Sequence, residues 1–384
     1  MTPATKTVCH ISFSSIMNAS RLMRAADAAA QSDLGVNVIC VGYQDGNVAE
    51  REILSTNCEI WRIPTIEFGR MPRVATRLLQ WLFWNVSVVR RLVGESIDVL
   101  QCHSLAAMLP GVILKRFGSR KLRLIYDAHE LETERHGWGT VHKAFARLIE
   151  RAVIPSADHI FLVGDLICEW YRKTYGLSNL SVLRNVPKRP DVAVQRNRIL
   201  RDEFRIADET LLFLYLGVID QGRGFQQIIE AFRDLPEHHV VFMGGGRAAA
   251  EVEAAAAQAP NIHLRKPVAI QDVIRYAAGC DVGISFIEDT CLSYHYCLPN
   301  KLHEYRLAGL PVIVSNLPEM ARYIDKTHCG WKVNPDAKSL RALVASLDRK
   351  AIDQTLADVR MAPLTWDDEK QEYLVILSKL LEAQ

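Results

Sequence analysis

Several common sequence features are missing from this chain, and each absence narrows its class. The nine cysteines are odd in number and include no Cys-x-x-Cys pair, which favours reduced, mostly buried thiols in the cytoplasm. The first residues, MTPATKTVCHISF, lack the apolar segment of a signal peptide. No run of about 20 apolar residues is present that could span a membrane. The net charge of +2 is too small to indicate a nucleic-acid partner.

Length and composition instead indicate a soluble globular protein with two domains. At 384 residues the chain is long for one hydrophobic core, and its 49% hydrophobic and 23% charged residues are typical of globular proteins. Short apolar segments suited to buried strands alternate with helical segments in both halves. This alternation predicts an α/β fold with two parallel, doubly wound sheets, and ligands at the carboxyl ends of their strands.

The apolar runs give the predicted strands. In the first half they are Thr7–Phe13, Val36–Val41, Cys58–Ile63, Val99–Cys102, Arg123–Asp127, His159–Val163 and Ser181–Asn185. In the second half they are Leu211–Leu216, His239–Met243, Ile262–Leu264, Asp281–Phe286 and Val312–Val314. The proline-rich segment 186–192 is predicted to link the halves, and Thr365–Gln384 to form a final helix.

The stretch PNKLHEYRLAGLPVIVS, from Pro299 to Ser315, carries the strongest functional signal. Lys301, Glu304 and Tyr305 are spaced for one face of a short helix, which Gly309 is placed to end. A cation and a carboxylate at the start of a helix, ahead of a buried strand, could hold both ends of a nucleoside diphosphate. The same spacing also fits a surface ion pair on an amphipathic helix.

Segments throughout the chain resemble the GT-B glycosyltransferases, in particular the retaining family 4 group. They are YDAHELETE at 126–134, YLGVIDQGRGFQQIIEAF at 215–232, FMGGGR at 242–247, AAGCDVGISF at 277–286, NKLHEYRLAGLPVIVSNLPE at 300–319 and TWDDEKQEYLVIL at 365–377. The resemblance covers nearly the whole chain and implies two Rossmann-like domains facing each other across a cleft. It implies an acceptor-side domain at 1–188, a nucleotide-sugar-binding domain at 189–364, and a helix at 365–384 that returns to the first domain.

The resemblance also implies how the donor is bound. Glu304 matches the second Glu of the family's Glu-x7-Glu motif, which binds the ribose hydroxyls. Arg223 lies where the family usually carries a Lys that neutralises the diphosphate, and bidentate contact with phosphate oxygens suits Arg. The predicted donor-binding residues are Gly217, Arg223, Gly245, Asn300, Lys301, Glu304 and Tyr305.

Two positions depart from the family pattern. Tyr296 stands where the first Glu of the motif, which contacts the donor sugar, is expected, and Val218 replaces a family Arg. His295 or Asn300 could supply the sugar contacts instead. These departures leave open the identity of the donor sugar and the stereochemical course.

Polar residues after the predicted strands of the first domain are candidates for contact with the sugar or the acceptor. His129 follows a buried strand, where ligands bind in such sheets, and the resemblance implies that it contacts the transferred sugar or the acceptor. A His at a strand end is also often a hydrogen-bonded core residue. The predicted acceptor or sugar contacts are Ser14, Ser15, His103, His129 and His295, and the predicted catalytic residues are His129, Arg223 and Lys301.

Together these features predict a glycosyltransferase that moves a sugar from a nucleoside diphosphate sugar to an acceptor hydroxyl. The resemblance implies retention and a role in envelope, exopolysaccharide or lipid-linked glycan synthesis. No Asp-x-Asp pair is present to hold a divalent ion, so a metal-independent reaction without a cofactor is expected. Two alternatives stay open: a nucleotide-sugar 2-epimerase of the same architecture, and a non-catalytic subunit that binds a nucleotide sugar.

One further segment, RMPRVATRLLQWLFWNVSVVRR at 70–91, has five arginines and no acidic residue. Its middle is apolar on nearly every helical face, yet it is too short to span a bilayer. An arginine-flanked helix with tryptophans fits peripheral contact with the anionic inner face of the cytoplasmic membrane. A helix half buried in the first domain, with a basic edge, is the alternative.

Overall fold

The computed structural model describes residues 5–17, 19–46, 48–64, 73–118 and 121–383, with the backbone alone for 73–75. The chain divides into two compact units, 1–185 with 367–384 (the N-terminal unit) and 186–366 (the C-terminal unit). The predicted domain boundaries, 188/189 and 364/365, lie within three residues of the observed ones. Each unit is built on one mostly parallel sheet, so the predicted α/β class with two doubly wound sheets is confirmed.

The N-terminal sheet has the strand order β3-β4-β2-β1-β5-β6-β7-β8. Its strands are β1 (Thr7–Ser12), β2 (Asn37–Tyr43), β3 (Arg51–Ser55), β4 (Cys58–Ile63), β5 (Val99–His103), β6 (Arg123–Ala128), β7 (His159–Leu162) and β8 (Leu180–Val182). The central strands are buried on both faces, which explains their continuous apolar runs. Among the described strands of this sheet, β3 alone pairs antiparallel, with β4.

In the described ranges of this unit, five α-helices lie between these strands. They are α1 (Ser20–Ala30), α2 (Arg73–Leu92), α3 (Met108–Phe117), α4 (Thr140–Val153) and α5 (Asp165–Tyr175). The predicted basic segment at 70–91 corresponds to α2, and its residues 70–72 lie outside the described chain. In the residues that the structure describes, no helix is long and apolar enough to cross a membrane.

The C-terminal sheet has the strand order β11-β10-β9-β12-β13-β14, and all of its pairs are parallel. The strands are β9 (Leu212–Val218), β10 (His239–Gly245), β11 (Ile262–Arg265), β12 (Val282–Ser285), β13 (Val312–Ser315) and β14 (Gly330–Val333). The helices are α6 (Ile199–Phe204), α7 (Phe225–Arg233), α8 (Ala249–Gln258), α9 (Val273–Ala277), α10 (Leu292–His295), α11 (Lys301–Leu307), α12 (Pro318–Thr327), α13 (Ala337–Ala345) and α14 (Arg349–Ala357). Gly309 has φ 78°, and this left-handed conformation ends α11 as predicted.

The last helix, α15 (Trp366–Glu382), belongs to the N-terminal unit although it follows the whole C-terminal unit in the chain. Tyr373, Leu377 and Leu381 recur every fourth residue and are buried, as one face of a helix requires. At its start, Glu369 forms an ion pair of 3.1 Å with Arg184. The helix therefore supplies part of the hydrophobic core of the N-terminal unit.

Candidate active site

A glycine-flanked loop follows β9 and presents Arg223. Gly222 and Gly224 have φ values of 77° and 69°, which glycine adopts without strain. A Cβ at Gly224 would lie 2.8 Å from the ring of Phe286, so a larger residue would displace the loop. The backbone N–H of Glu288 donates to the Gly222 carbonyl at 3.1 Å. The loop is thereby fixed to the segment that follows β12.

The guanidinium of Arg223 and the ammonium of Lys301 both face aromatic rings, and both influence the pKa of Cys297. The guanidinium carbon of Arg223 is 5.0 Å from the ring centroid of Tyr294, and Nζ of Lys301 is 3.9 Å from that of Tyr215. Burial, followed by the charge of Arg223, lowers the pKa of Lys301 from 10.5 to about 7. Neither cation forms an ion pair with any residue in the described ranges.

This pair of cations indicates a site for an anion. Two like charges that are close together and partly buried are unfavourable unless a ligand or a carboxylate compensates them. Burial raises the pKa of the Cys297 thiol to about 12, although Arg223 and Lys301 both oppose the rise, so this thiol shares the same electropositive environment. A ligand with two adjacent negative phosphates would satisfy both cations.

Glu304 lies one helical turn after Lys301 on α11 and is half-buried. Its charge raises the pKa of Lys301 and partly offsets the effect of Arg223. The carboxylate is therefore near the cationic pair, and a vicinal diol could donate two hydrogen bonds to it.

Tyr305 lies in the core, so the predicted donor contact is corrected. Its side chain is fully buried, and its hydroxyl accepts from the Leu216 N–H at 2.8 Å and donates to the Ile284 carbonyl at 3.0 Å. Gly283 leaves the space that the ring occupies, since a Cβ there would overlap it. Tyr305 thus attaches α11 to β9 and β12 and positions Lys301 and Glu304.

The remaining predicted donor residues lie on loops of the same unit. Gly217 is exposed with φ 106°, and its carbonyl oxygen occupies the space where a Cβ of Gly244 would be. Gly245 is half-buried, and its carbonyl accepts from the Ile219 N–H at 2.9 Å. Asn300 is exposed, and its side chain makes no capping hydrogen bond to α11. These positions allow close approach of a ligand to the backbone.

His295, predicted to contact the sugar, pairs with a carboxylate. Its Nδ1 lies 3.0 Å from each carboxylate oxygen of Asp289. Both side chains are partly exposed on the segment between β12 and α11. The adjacent Tyr294 faces Arg223, so His295 and the cationic pair are connected through α10.

In the N-terminal unit, His129 and His103 converge on one buried carboxylate. Nδ1 of His103 lies 2.9 Å from Oδ2 of Asp127 and 3.3 Å from Nε2 of His129. Nε2 of His129 lies 3.6 Å from the same carboxylate oxygen. His103 is fully buried and His129 is about one-third exposed, so only His129 offers its imidazole to a ligand. The direct sugar contact predicted for His103 is therefore corrected to support of His129.

Arg21 and Gln101 complete this network, and neither was predicted. Arg21 Nε donates to the two Asp127 carboxylate oxygens at 3.0 and 3.1 Å, and Gln101 Nε2 donates to Oδ2 at 3.2 Å. Burial opposes the charge of Asp127, but Arg21 and the imidazole hydrogen bonds outweigh it and hold the pKa of Asp127 well below its usual range. Burial lowers the pKa of His103 to about 4, so this imidazole is neutral at pH 7.

The strand register explains why these residues meet. His103 pairs with Asp127 across β5 and β6, and His10 pairs with Gln101 across β1 and β5. Nδ1 of His10 lies 3.1 Å from Nε2 of His103. The sequence signal for this buried network was the presence of polar residues at alternate positions of otherwise apolar strands.

Ser14 and Ser15 follow β1 and are half-buried. Ser14 Oγ lies 3.0 Å from Ser12 Oγ, and the Ser15 carbonyl accepts from Arg62 Nε at 3.1 Å. The next residue, Ile16, is buried with φ 68°, which is costly for a β-branched side chain. Such strain often accompanies a ligand-binding loop.

One group of side chains in the described ranges combines the types and spacing of metal ligands. The ligand atoms of His103, Asp127 and His129 lie within 4.8 Å of one another. However, the Arg21 guanidinium already binds both carboxylate oxygens, and it would repel a cation at this position. Hydrogen bonding between the three groups accounts for their distances.

Both units thus carry polar groups at the carboxyl ends of their parallel strands, which is where doubly wound proteins bind ligands. The architecture is that of the GT-B glycosyltransferases. A family model described as Glycosyltransferase Family 4 matches residues 22–186, and one described as Glycosyl transferases group 1 matches residues 210–349. The chain belongs to these glycosyltransferases and is an enzyme of that class.

Solved structures share the fold along almost the whole chain. Sucrose-phosphate synthase of Thermosynechococcus elongatus aligns with a TM-score of 0.79 and 14% identity over 99% of this chain and 100% of its own. Alr3699/HepE of Anabaena, in complex with UDP-glucose, aligns with a TM-score of 0.72 and 12% identity over 97% and 99%. WaaG, a glycosyltransferase involved in lipopolysaccharide biosynthesis, aligns with a TM-score of 0.64 and 18% identity over 98% of both chains. No curated protein sequence matches the chain.

Proposed function

We propose that this enzyme transfers a sugar from a nucleoside diphosphate sugar to an acceptor hydroxyl. The observation that carries the proposal is the pair of cations Arg223 and Lys301, which face the rings of Tyr294 and Tyr215. Burial and the charge of Arg223 lower the pKa of Lys301 to about 7. As the glycosidic bond to the donor breaks, negative charge grows on the leaving diphosphate. Fixed positive groups that face this charge stabilise the transition state more than the ground state.

The other donor contacts follow from their positions around this pair. Glu304 accepts hydrogen bonds from the ribose hydroxyls, while Gly217 and Gly245 let the nucleotide approach the backbone. Asn300 and His295 lie in the segment before α11 and contact the donor sugar. The likeness to Alr3699/HepE, which was solved with UDP-glucose, supports a donor of this chemical class.

His129 is proposed to contact the transferred sugar or the acceptor. Asp127 accepts hydrogen bonds from the surrounding groups and orients the imidazole through its Nε2, which leaves Nδ1 for the ligand. Ser14 and Ser15 lie on the loop after β1 and are further candidates for acceptor contacts. We infer a metal-independent reaction, since Arg223 and Lys301 can neutralise the diphosphate without a divalent ion. Retention of configuration is proposed from the match to Glycosyltransferase Family 4.

The proposed pathway is envelope, exopolysaccharide or lipid-linked glycan synthesis in the cytoplasm. The likeness to WaaG, which is involved in lipopolysaccharide biosynthesis, supports it. Peripheral membrane contact through 70–91 forms part of this proposal. In the described part of that segment, Leu78, Leu82 and Val86 of α2 are 50%, 43% and 50% exposed.

The proposal is tested with the purified chain in two stages. Nucleoside diphosphates and their sugars are first screened by thermal shift, because ligands that bind the native state raise its melting temperature. The best donor is then incubated with and without lipid-linked or glycan acceptors, and the products are analysed by mass spectrometry and NMR. Acceptor-dependent glycoside formation is expected. Epimerised nucleotide sugar without acceptor would identify an epimerase, and binding without any product would identify a non-catalytic subunit.

A further inference from the structure

Three neighbouring helices of the N-terminal unit share an unusual surface. α2 packs against α3 and α3 against α4. All three connect strands in the same direction along the sheet, and right-handed connections therefore place them on one face of it. We call these helices, residues 73–92, 108–117 and 140–153, the basic helical layer.

α4 exposes a continuous apolar stripe. Val141, Phe145 and Leu148 are 80%, 59% and 66% exposed, and their spacing places them on one side of the helix. The opposite side of α4 buries Ala146, Glu150 and Val153 against the unit. A soluble helix normally turns its apolar stripe to the core, so this second, outward stripe requires another explanation.

The charged residues of the basic helical layer are almost all positive. Its sequences contain nine Lys and Arg residues and a single carboxylate, Glu150, whereas the whole chain has a net charge of only +2. Glu150 is buried and accepts hydrogen bonds from three tyrosine hydroxyls, those of Tyr126, Tyr171 and Tyr175. No carboxylate of these helices therefore reaches the solvent.

Part of the positive charge is also free of ion pairs. Lys143 and Arg147 pair with Glu134, but Arg90, Arg116 and Arg151 are exposed and form no ion pair with the described residues. Each of these three lies on a different helix of the layer. The free cations are therefore spread over the same surface as the exposed apolar side chains of α2 and α4.

We propose that the basic helical layer docks on an anionic lipid bilayer, with Phe145 and Leu148 of α4 entering the interface. The combination of outward apolar stripes with arginines and without exposed carboxylates is complementary to an anionic, apolar surface. The proposal adds α3 and α4 to the contact through 70–91. α4 follows the loop that begins at His129, so docking would bring the site of sugar transfer towards lipid-linked acceptors; this last point rests on the proposed function.

Co-sedimentation with vesicles tests the docking. The full chain is mixed with vesicles of phosphatidylcholine, with or without phosphatidylglycerol, at low and high salt. Wild-type protein is expected to sediment with the anionic vesicles, more weakly at high salt because of screening. Two double variants should each weaken partitioning onto anionic vesicles on the order of tenfold: Phe145→Ser/Leu148→Ser and Arg116→Glu/Arg151→Glu. The matched controls in the C-terminal unit, Ile270→Ser and Arg233→Glu, should partition like the wild type.

Two results would overturn the proposal. The first is wild-type protein that stays in the supernatant with anionic vesicles at low salt, which would leave an acidic protein partner as the occupant of this surface. The second is a Phe145→Ser/Leu148→Ser protein that partitions as well as wild type. Nucleotide binding is measured in parallel, because it depends on Arg223 and Lys301 and should be unchanged in all four variants. Loss of vesicle binding with intact nucleotide binding separates failure of docking from failure of the proposed function.

Discussion

Replacing Lys301 with Arg should remove a pH dependence from nucleotide binding. In the free protein, burial and Arg223 hold the pKa of Lys301 at about 7. A bound diphosphate supplies the missing negative charge and raises this pKa towards its ordinary value. Binding therefore takes up a proton, and affinity is highest when Lys301 is already charged. The affinity should fall as the pH rises through 7 and should stop falling only at the pKa of the complex.

The size of the effect follows from the lowered pKa of about 7. At pH 7 half of the free molecules carry the charge, and at pH 9 about one in a hundred does, so the dissociation constant should rise about fifty-fold between these values. The neighbouring Cys297 thiol does not contribute in this window, because burial holds its pKa at about 12.

Isothermal titration calorimetry measures both the affinity and the proton uptake. The best-binding nucleoside diphosphate is titrated between pH 7 and pH 9 in two buffers with different enthalpies of ionisation. Lys301→Arg keeps a charge throughout this range, so its dissociation constant should be nearly independent of pH. A wild-type affinity that does not change with pH, or a variant with the wild-type slope, would refute the assignment of Lys301 to the diphosphate.

Four further changes test individual roles. Arg223→Ala should lower turnover more than donor affinity, since charge on the diphosphate grows in the transition state; a loss confined to affinity would show only a ground-state contact. Glu304→Ala should weaken nucleotide binding on the order of 1–3 kcal/mol by calorimetry, and unchanged affinity in a folded protein would disprove the ribose contact. Tyr305→Phe should lower the free energy of unfolding in urea by about 1–3 kcal/mol, because the buried Leu216 N–H loses its acceptor; no loss would remove its positioning role. Asp127→Asn should destabilise the protein by about 3–5 kcal/mol, because Arg21 is left buried without its counter-ion, and an unchanged melting temperature would contradict the network described here.

Buried strands could be predicted from the sequence because both of their faces pack in the core. The strands β1, β4 and β10 were predicted to within two residues of their observed ends. β3 was missed because all five of its residues are exposed and carry no apolar pattern. β14 was missed for a similar reason, since none of its four residues is fully buried.

Within the candidate site, the sequence predicted residues that are recognised from neighbouring positions in the chain. It did not predict residues whose role comes from contacts between distant positions. Lys301 was predicted from its place at a helix start, and Arg223 from its match to a family position. The contact of Arg21 with Asp127 joins positions 106 residues apart, and only the strand order brings them together. Tyr305 was misassigned because helical spacing shows which residues share a face of α11 but not what that face contacts. In the structure, the side chain of Tyr305 contacts β9 and β12.

The position of α15 affects how the N-terminal unit can form during synthesis. Tyr373 and Leu377 belong to the core of a unit whose other residues end at 185, and the 186–366 segment is translated between them. At typical rates of protein synthesis this interval lasts roughly 10–40 s. During that time the N-terminal unit has left the ribosome with an open apolar groove where α15 will bind. Molecular chaperones that recognise exposed apolar surface are therefore expected to bind this groove. A ribosome that stalls after residue 366 would release a protein without α15, in which the groove stays open.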